Sequence, residues 1–161
     1  MKLHKPEIRI LGVEEALELG EDILTTCVVM RGSLQLDGVF VSLHRKGDPR
    51  SLALSLKTSP YFKELRVVML SSKLLDQASL DEVYEVLRLP TMLLSHDGMK
   101  WRLLRFKGLN TEEASSILSI ASSDEGPEAL RLARMLSPMV KELANSWLRS
   151  SLYLRRKEGK P

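Results

Sequence analysis

The sequence predicts one α/β domain: a mixed β-sheet flanked by helices, with a helical C-terminal part. Three observations predict it. Short apolar, β-branched runs at residues 8–13, 25–31, 66–70 and 91–94 read as strands. Helix-start signals fall between the later runs, so strand, helix, strand, helix and strand follow one another, as in a parallel sheet with right-handed crossovers. The 161 residues, 43% apolar and 28% charged, match one ordinary globular domain.

Taken in order, residues 8–13 form a first, central strand and residues 25–31 a second. Gly32-Ser33 punctuates the chain, and residues 34–43 alternate as a third strand paired antiparallel through that tight turn. Gly38 inside it marks a bulge. Asp48-Pro49 starts a helix, because Asp accepts from free backbone N–H groups and Pro suits the first helical position. Leu52 and Leu56 line its apolar face. A buried strand follows at residues 66–70. Ser79-Leu80-Asp81-Glu82 has the spacing of a capping box and opens a helix with Leu80, Val83 and Leu87 inward. Residues 91–94 form the next strand and residues 101–106 a further one at an edge.

Asn110-Thr111-Glu112-Glu113 caps a helix carrying Ala114, Ile117, Leu118 and Ala121 at helical spacing. Gly126-Pro127 opens the last helix, with Leu130, Ala133, Leu136, Val140, Leu143 and Trp147 on one stripe. Pro138 is expected to kink or split it, since it removes a backbone hydrogen bond. The polar, basic end reads as a mobile tail. The expected organisation is one domain over residues 1–150 and a tail over 151–161.

Composition excludes several classes. No apolar run approaches the roughly 18 residues of a membrane span, and residues 1–7 lack a signal-peptide pattern. Cys27 is the lone cysteine and has apolar, β-branched neighbours, so it reads as a buried small hydrophobe. The expected location is the cytoplasm. Asn and Gln are scarce, as in many hyperthermophile proteins. The net charge is +3, yet residues 149–160 alone carry +4, which leaves the rest of the chain at −1. Attraction to phosphate therefore depends on local patches or on the tail, with Arg149, Arg155, Arg156 and Lys157.

No phosphate-binding glycine loop, paired CxxC, HExxH or GxSxG is present. His4, His44 and His96 are scattered and read as solvated loop residues, so no metal ligand is assigned. What remains is a set of carboxylates at strand ends. Glu14 and Glu15 follow the first strand, where ligands of α/β sheets usually sit. Converging carboxylates from different strands hold the Mg²⁺ ions that activate water in phosphodiester cleavage, and Asp37 is a candidate second member. The plainer reading of Glu14 and Glu15 is a solvated start to residues 14–21. In residues 100–107, basic side chains interleave with Trp101 and Phe106. Stacking plus cations holds single-stranded nucleic acid, but an amphipathic strand gives the same pattern and is the favoured reading.

Several stretches resemble a largely archaeal family known as domain-of-unknown-function family ninety-nine: Lys5-Pro6-Glu7-Ile8-Arg9-Ile10-Leu11-Gly12-Val13, Val28-Val29-Met30-Arg31-Gly32, Leu36-Asp37-Gly38-Val39, and Leu65-Arg66-Val67-Val68-Met69-Leu70. Glu82-Val83-Tyr84-Glu85 before Leu89-Pro90, and Gly108-Leu109-Asn110-Thr111-Glu112-Glu113-Ala114, continue the match. The resemblance spans roughly residues 5 to 145. It implies kinship with endonuclease V and a ribonuclease H-like fold.

The departures matter more. Where the family has aspartates after the first strand, this chain has Glu14 and Glu15. Where it has Asp-Gly at a position resembling a metal-binding aspartate, this chain has Ser71-Ser72. The glycine-rich stretch that follows is shortened to residues 73–78. A helical segment after the 91–94 strand is replaced by Ser95-His96-Asp97-Gly98. The resemblance therefore implies a divergent, shortened and degenerate member.

Three functions follow as expectations. The first is a non-catalytic protein without a cofactor. It binds nucleic acid, or serves in a nucleic-acid-handling complex, through Glu15, Arg31, Ser71, Ser72, Arg149, Arg155, Arg156 and Lys157. The second is a Mg²⁺-dependent nuclease using Glu14 and Asp37. The third is a protein-interaction module docking through its C-terminal helix. None involves a membrane.

Overall fold

The computed structural model describes residues 7–157 and residue 159. Strands β1 (Arg9–Leu19), β2 (Asp22–Arg31) and β3 (Gln35–Arg45) form an antiparallel meander. Helix α1 (Pro49–Lys57) leads to β4 (Leu65–Ser71), and α2 (Leu80–Leu87) leads to β5 (Thr91–His96). Strand β6 (Trp101–Lys107) follows. Helix α3 (Thr111–Ala121), the two-residue strands β7 (Ser122–Ser123) and β8 (Gly126–Pro127), and α4 (Glu128–Lys157) complete the chain.

The main sheet has the order β3–β2–β1–β4–β5–β6. β4 runs parallel to β1 and β5 parallel to β4, while β6 returns antiparallel on β5. This is the expected mixed sheet with β1 central. Alternate residues feed two cores, because successive side chains point to opposite faces. Ile10, Val28, Val67, Met69 and Met92 pack with Ala114, Ile117, Leu130 and Ala133 of α3 and α4. Leu11, Val13, Val29, Val68 and Leu70 pack with Leu52, Leu56, Leu80 and Val83 of α1 and α2.

Local chemistry explains the boundaries. Asp48 Oδ1 accepts from Ser51 N at 3.0 Å, which caps α1 above Pro49. Asn110 and Glu113 form a reciprocal capping box on α3. The box expected at Ser79 does not form: Ser79 has a helical backbone and its N–H donates to Asp76 Oδ1 at 2.8 Å. The β2–β3 register shifts between Val29 and Met30, leaving Asp37 as the extra residue beside Gly38. A bulge thus stands where the glycine signalled one. Gly12 permits a close approach, since a Cβ there would lie 2.3 Å from the carbonyl carbon of Ala129. Helix α4 rests its first turn on the backbone of β1.

Two expectations change. Strand β1 continues through Glu14 and Glu15 to Leu19, because Leu17, Glu18 and Leu19 pair with Leu24, Ile23 and Asp22. Helix α4 is not split at Pro138 and runs past residue 150 to Lys157, so residues 151–157 are helical. No described helix is long and apolar enough to cross a membrane.

Candidate functional site at the carboxyl ends of β1 and β4

Val13 pairs with Leu70 across the parallel strands, which puts Glu14 and Ser71 side by side one residue further on. Both face α4, as Gly12 and Met69 do two residues earlier. Glu14 is 3% exposed and Ser71 6%. Across β2, Thr26 pairs with Glu14 and is fully buried. Ser137 of α4 closes the group: its Oγ lies 3.0 Å from Thr26 Oγ1 and 2.7 Å from Ala133 O. The hydroxyls of Thr26 and Ser137 thus bond to each other, while Ser71 stands beside Glu14 in the sheet.

Glu14 Oε2 is buried and has no hydrogen-bond partner, while Oε1 stands 3.9 Å from Lys73 Nζ. Such an orphaned oxygen is costly unless charge or a ligand compensates it. The turn after β4 delivers the lysine: Leu74 N donates to Ser71 O, and Lys73 N donates to Ser71 Oγ. The expectation that Glu14 is a solvated residue is therefore overturned, because the strand continues beneath α4.

Divalent cations such as Mg²⁺ need several charged or carbonyl oxygens. Here the donor set is one carboxylate with hydroxyls, and Lys73 already supplies a cation. Among the described residues no group of three or more His, Cys, Asp or Glu stands together as a metal site. The residues present do not fit a two-metal centre.

Glu15 and Ser72 leave Glu14 and Ser71 on the opposite face of the sheet. They line a cleft of about 380 Å³ with Glu18, Lys46, Lys73 and Asp76. Lys46 Nζ and Glu18 Oε2 pair at 3.1 Å there. A second cavity of about 380 Å³ lies at the end of β5, lined by Leu94, Lys100, Trp101, Ser123, Asp124 and Glu125 among others. Leu94 pairs with Ser71, but neither Ser71 nor Glu14 lines this cavity.

Asp37 belongs elsewhere. Its Oδ2 accepts from Arg9 Nε and Arg31 Nε, both at 2.9 Å. Burial raises its pKa, but the bonds from Arg31 and Arg9 outweigh that and hold the carboxyl below its ordinary value. Arg9 opens β1, five residues from Glu14, or about 16 Å at 3.3 Å per residue. The structure does not bring Glu14 and Asp37 together, and Arg31 is committed to Asp37. Arg149, Arg155, Arg156 and Lys157 all lie on the last turns of α4.

Among the other candidates, Trp101, Leu103 and Phe106 pack against the α4-side core, so β6 is an amphipathic strand. Its Arg105 and Lys107 both pair with Asp81. Cys27 is buried, and burial pushes its thiol up to about 11 against weaker bonds from Thr25 and Ser42. His44 is not a loop residue but a buried one on β3, with its pKa lowered by desolvation against Asp48 and Asp22. His96 ends β5 and packs on Trp101 at 4.7 Å. His4 lies outside the described residues. The sequence reading passed over Glu128, which is buried and gripped by Arg131 at 2.6 and 3.0 Å and by Ser123 at 2.6 Å. Its three-residue spacing from Arg131 was the available signal.

No family model matches the sequence. UPF0215 proteins of Methanosarcina acetivorans and Methanosarcina mazei are 31% and 32% identical over 96 residues, 56% of this chain. The chain spans about half (49%) of the length of these curated relatives. Among solved structures, endonuclease V of Ciona intestinalis matches with a TM-score of 0.54 at 13% identity. The match covers 85% of this chain and 86% of that one; that structure contains a 24mer DNA with an inosine followed by a ribo-adenosine. The crystal structure of human ENDOV matches with a TM-score of 0.56 at 11% identity, over 85% of each chain. The fold of this chain is that of endonuclease V, and its sequence is similar to archaeal UPF0215 proteins.

Proposed function

We propose that this chain is a non-catalytic protein on a nuclease-like scaffold that binds nucleic acid, or serves a complex that does. The carrying observation is the solitary Glu14: it is buried, one of its oxygens is unpartnered, and Ser71 stands where a second carboxylate would be needed. Asp37 sits at the far end of the sheet, tied to two arginines, which weakens the nuclease reading. The assignment to domain-of-unknown-function family ninety-nine as a divergent, shortened member belongs to this proposal. So does a cytoplasmic setting, consistent with the buried Cys27.

Binding is expected along the basic end of α4, where Arg149, Arg155, Arg156 and Lys157 are clustered. Fluorescence anisotropy with duplex and single-stranded oligonucleotides across a salt series tests it, with an inosine-containing 24mer among the probes. Replacing the four cations with Gln should cut the log–log salt slope on a duplex by up to about 4, near 0.9 per phosphate contact. An unchanged slope removes α4 as the contact. Mg²⁺-dependent cleavage of any probe, abolished by Glu14→Gln, overturns the non-catalytic reading.

One observation favours the protein-docking reading as well. Met135, Met139, Leu143 and Trp147 form an exposed apolar run along α4. Soluble surfaces seldom leave such runs uncovered.

A further inference from the structure

Strand β3 is one edge of the sheet, and residues 38–43 contain neither a charge nor a proline. Edges of this kind are normally guarded by lysine, proline or a covering element, because their free N–H and C=O groups pair with other strands. Here Val39, Val41 and Leu43 lie on the same face as Thr26 and Val28, their partners' side, which is the face α4 covers elsewhere. Helix α4 reaches β1 at Gly12 and β2 at Thr26, so it advances toward β3 and then runs beyond the sheet.

Counting about 100° per residue from sheet-facing Ser137, Leu136, Leu143 and Trp147 fall roughly 80–120° to one side. Met139 lies a little further round the same flank. With the β4–α2–β5 crossover right-handed, that flank looks over β3. Strand and helix therefore form an apolar step: Val39, Val41 and Leu43 are the floor, and Met139, Leu143 and Trp147 the wall. Each is 44–68% exposed. The charged residues of the same helical stretch, Lys141, Glu142 and Arg149, fall on its other side.

We propose that this step is covered by a second copy of the chain in a two-fold dimer, β3 pairing antiparallel with β3 about an axis near Val41. The step is self-complementary, as an isologous interface demands. Pairing the strands extends the sheet, and it sets the two α4 helices antiparallel over the junction, wall against wall. That arrangement carries the basic end of each α4, with Arg149, Arg155 and Arg156, toward Asp124 and toward Glu125, itself paired with Arg131 at 3.0 Å, which precede α4 in the other copy. The opposed helix dipoles agree with it.

Sedimentation velocity without nucleic acid tests the dimer independently of the binding proposal. The wild-type chain should sediment at twice its monomer mass at tens of micromolar. Val41→Arg, which places a charge at the strand edge, and Leu143→Glu on the helix should each yield monomer with an unchanged circular dichroism spectrum. Should either variant unfold, cross-linking in the otherwise native chain decides. Val41→Cys, next to its own copy on the axis, should form an intermolecular disulfide under mild oxidant, whereas Glu85→Cys, exposed on α2 near the β6 edge, should not. A monomeric wild-type chain, or dimers that survive both substitutions, would overturn the proposal.

Discussion

Lys73 Nζ approaches Glu14 Oε1 to 3.9 Å while Glu14 Oε2 meets no donor, so a single lysine balances a carboxylate that the sheet and α4 enclose. A divalent ion would have to compete with that ammonium and find its remaining ligands among hydroxyls. Calorimetric titration with Mg²⁺ or Mn²⁺ should therefore show no saturable site tighter than about millimolar. Ser71→Asp should strengthen binding, and more so combined with Lys73→Ala. Tight binding by the natural chain, lost in Glu14→Gln, would refute this.

The contact between Gly12 and Ala129 sets a packing limit. Gly12→Ala adds one methyl against backbone atoms at 2.3–2.6 Å, and backbone cannot rotate aside as a side chain does. We expect a loss of about 2–4 kcal/mol in urea unfolding, at the upper end for overpacking. Ala133→Gly, which removes a buried methyl from the same helix, should cost less and not rescue it.

Cys27 gives the protein a basic limb. Its thiol ionises near 11 when folded, against an ordinary value of 9.0, so the unfolded chain releases its proton first. The contribution of Cys27 is complete below about pH 8.5 and disappears as pH rises through 11, amounting to roughly 3 kcal/mol. Cys27→Ala should flatten that part of the stability profile. In the native state the thiol should react with a disulfide reagent only as fast as the domain opens.

Asp37 works in the opposite sense. Because Arg31 and Arg9 hold its carboxyl below the ordinary value, the stabilisation is present above about pH 4 and is lost as pH falls through the folded value. Asp37→Asn should remove this acid dependence. It should also cost about 1–3 kcal/mol at neutral pH, because the charge that two guanidinium groups share is lost and an amide oxygen accepts from them more weakly. Thermal melts across the acid range read both effects.

Much of the fold was legible because its signals are local. Asp48-Pro49 and Asn110 to Glu113 announce helices through hydrogen bonds made within four residues, and the runs at 66–70 and 91–94 are apolar enough to be buried strands. The juxtaposition of Glu14 and Ser71 also followed from strand order. What the sequence hid depends on distant partners. Glu14 looked like a solvent residue because nothing local says that α4, more than a hundred residues later, lies over it. His44 seemed a loop residue because strand β3 continues two positions beyond its apolar alternation. Ser79 lost its cap to Asp76, a competitor three residues upstream. The end of α4 read as a tail because basic, polar residues say nothing about whether a helix has already gathered enough length to persist.

The glycine beneath α4 does more than admit the helix. Strand β1 is buried on both faces around that point, so hydrophobicity alone would barely distinguish its register from one shifted by a residue. A one-residue slip would bring Leu11 or Val13 under the Ala129 backbone, where even a methyl does not fit. The helix thus gauges the strand: only one alignment of β1 lets the last element close. Insertions or deletions between Ile8 and Gly12 should consequently be purged far more strictly than equal changes in the β1–β2 turn at Gly20, where a Cβ would meet nothing.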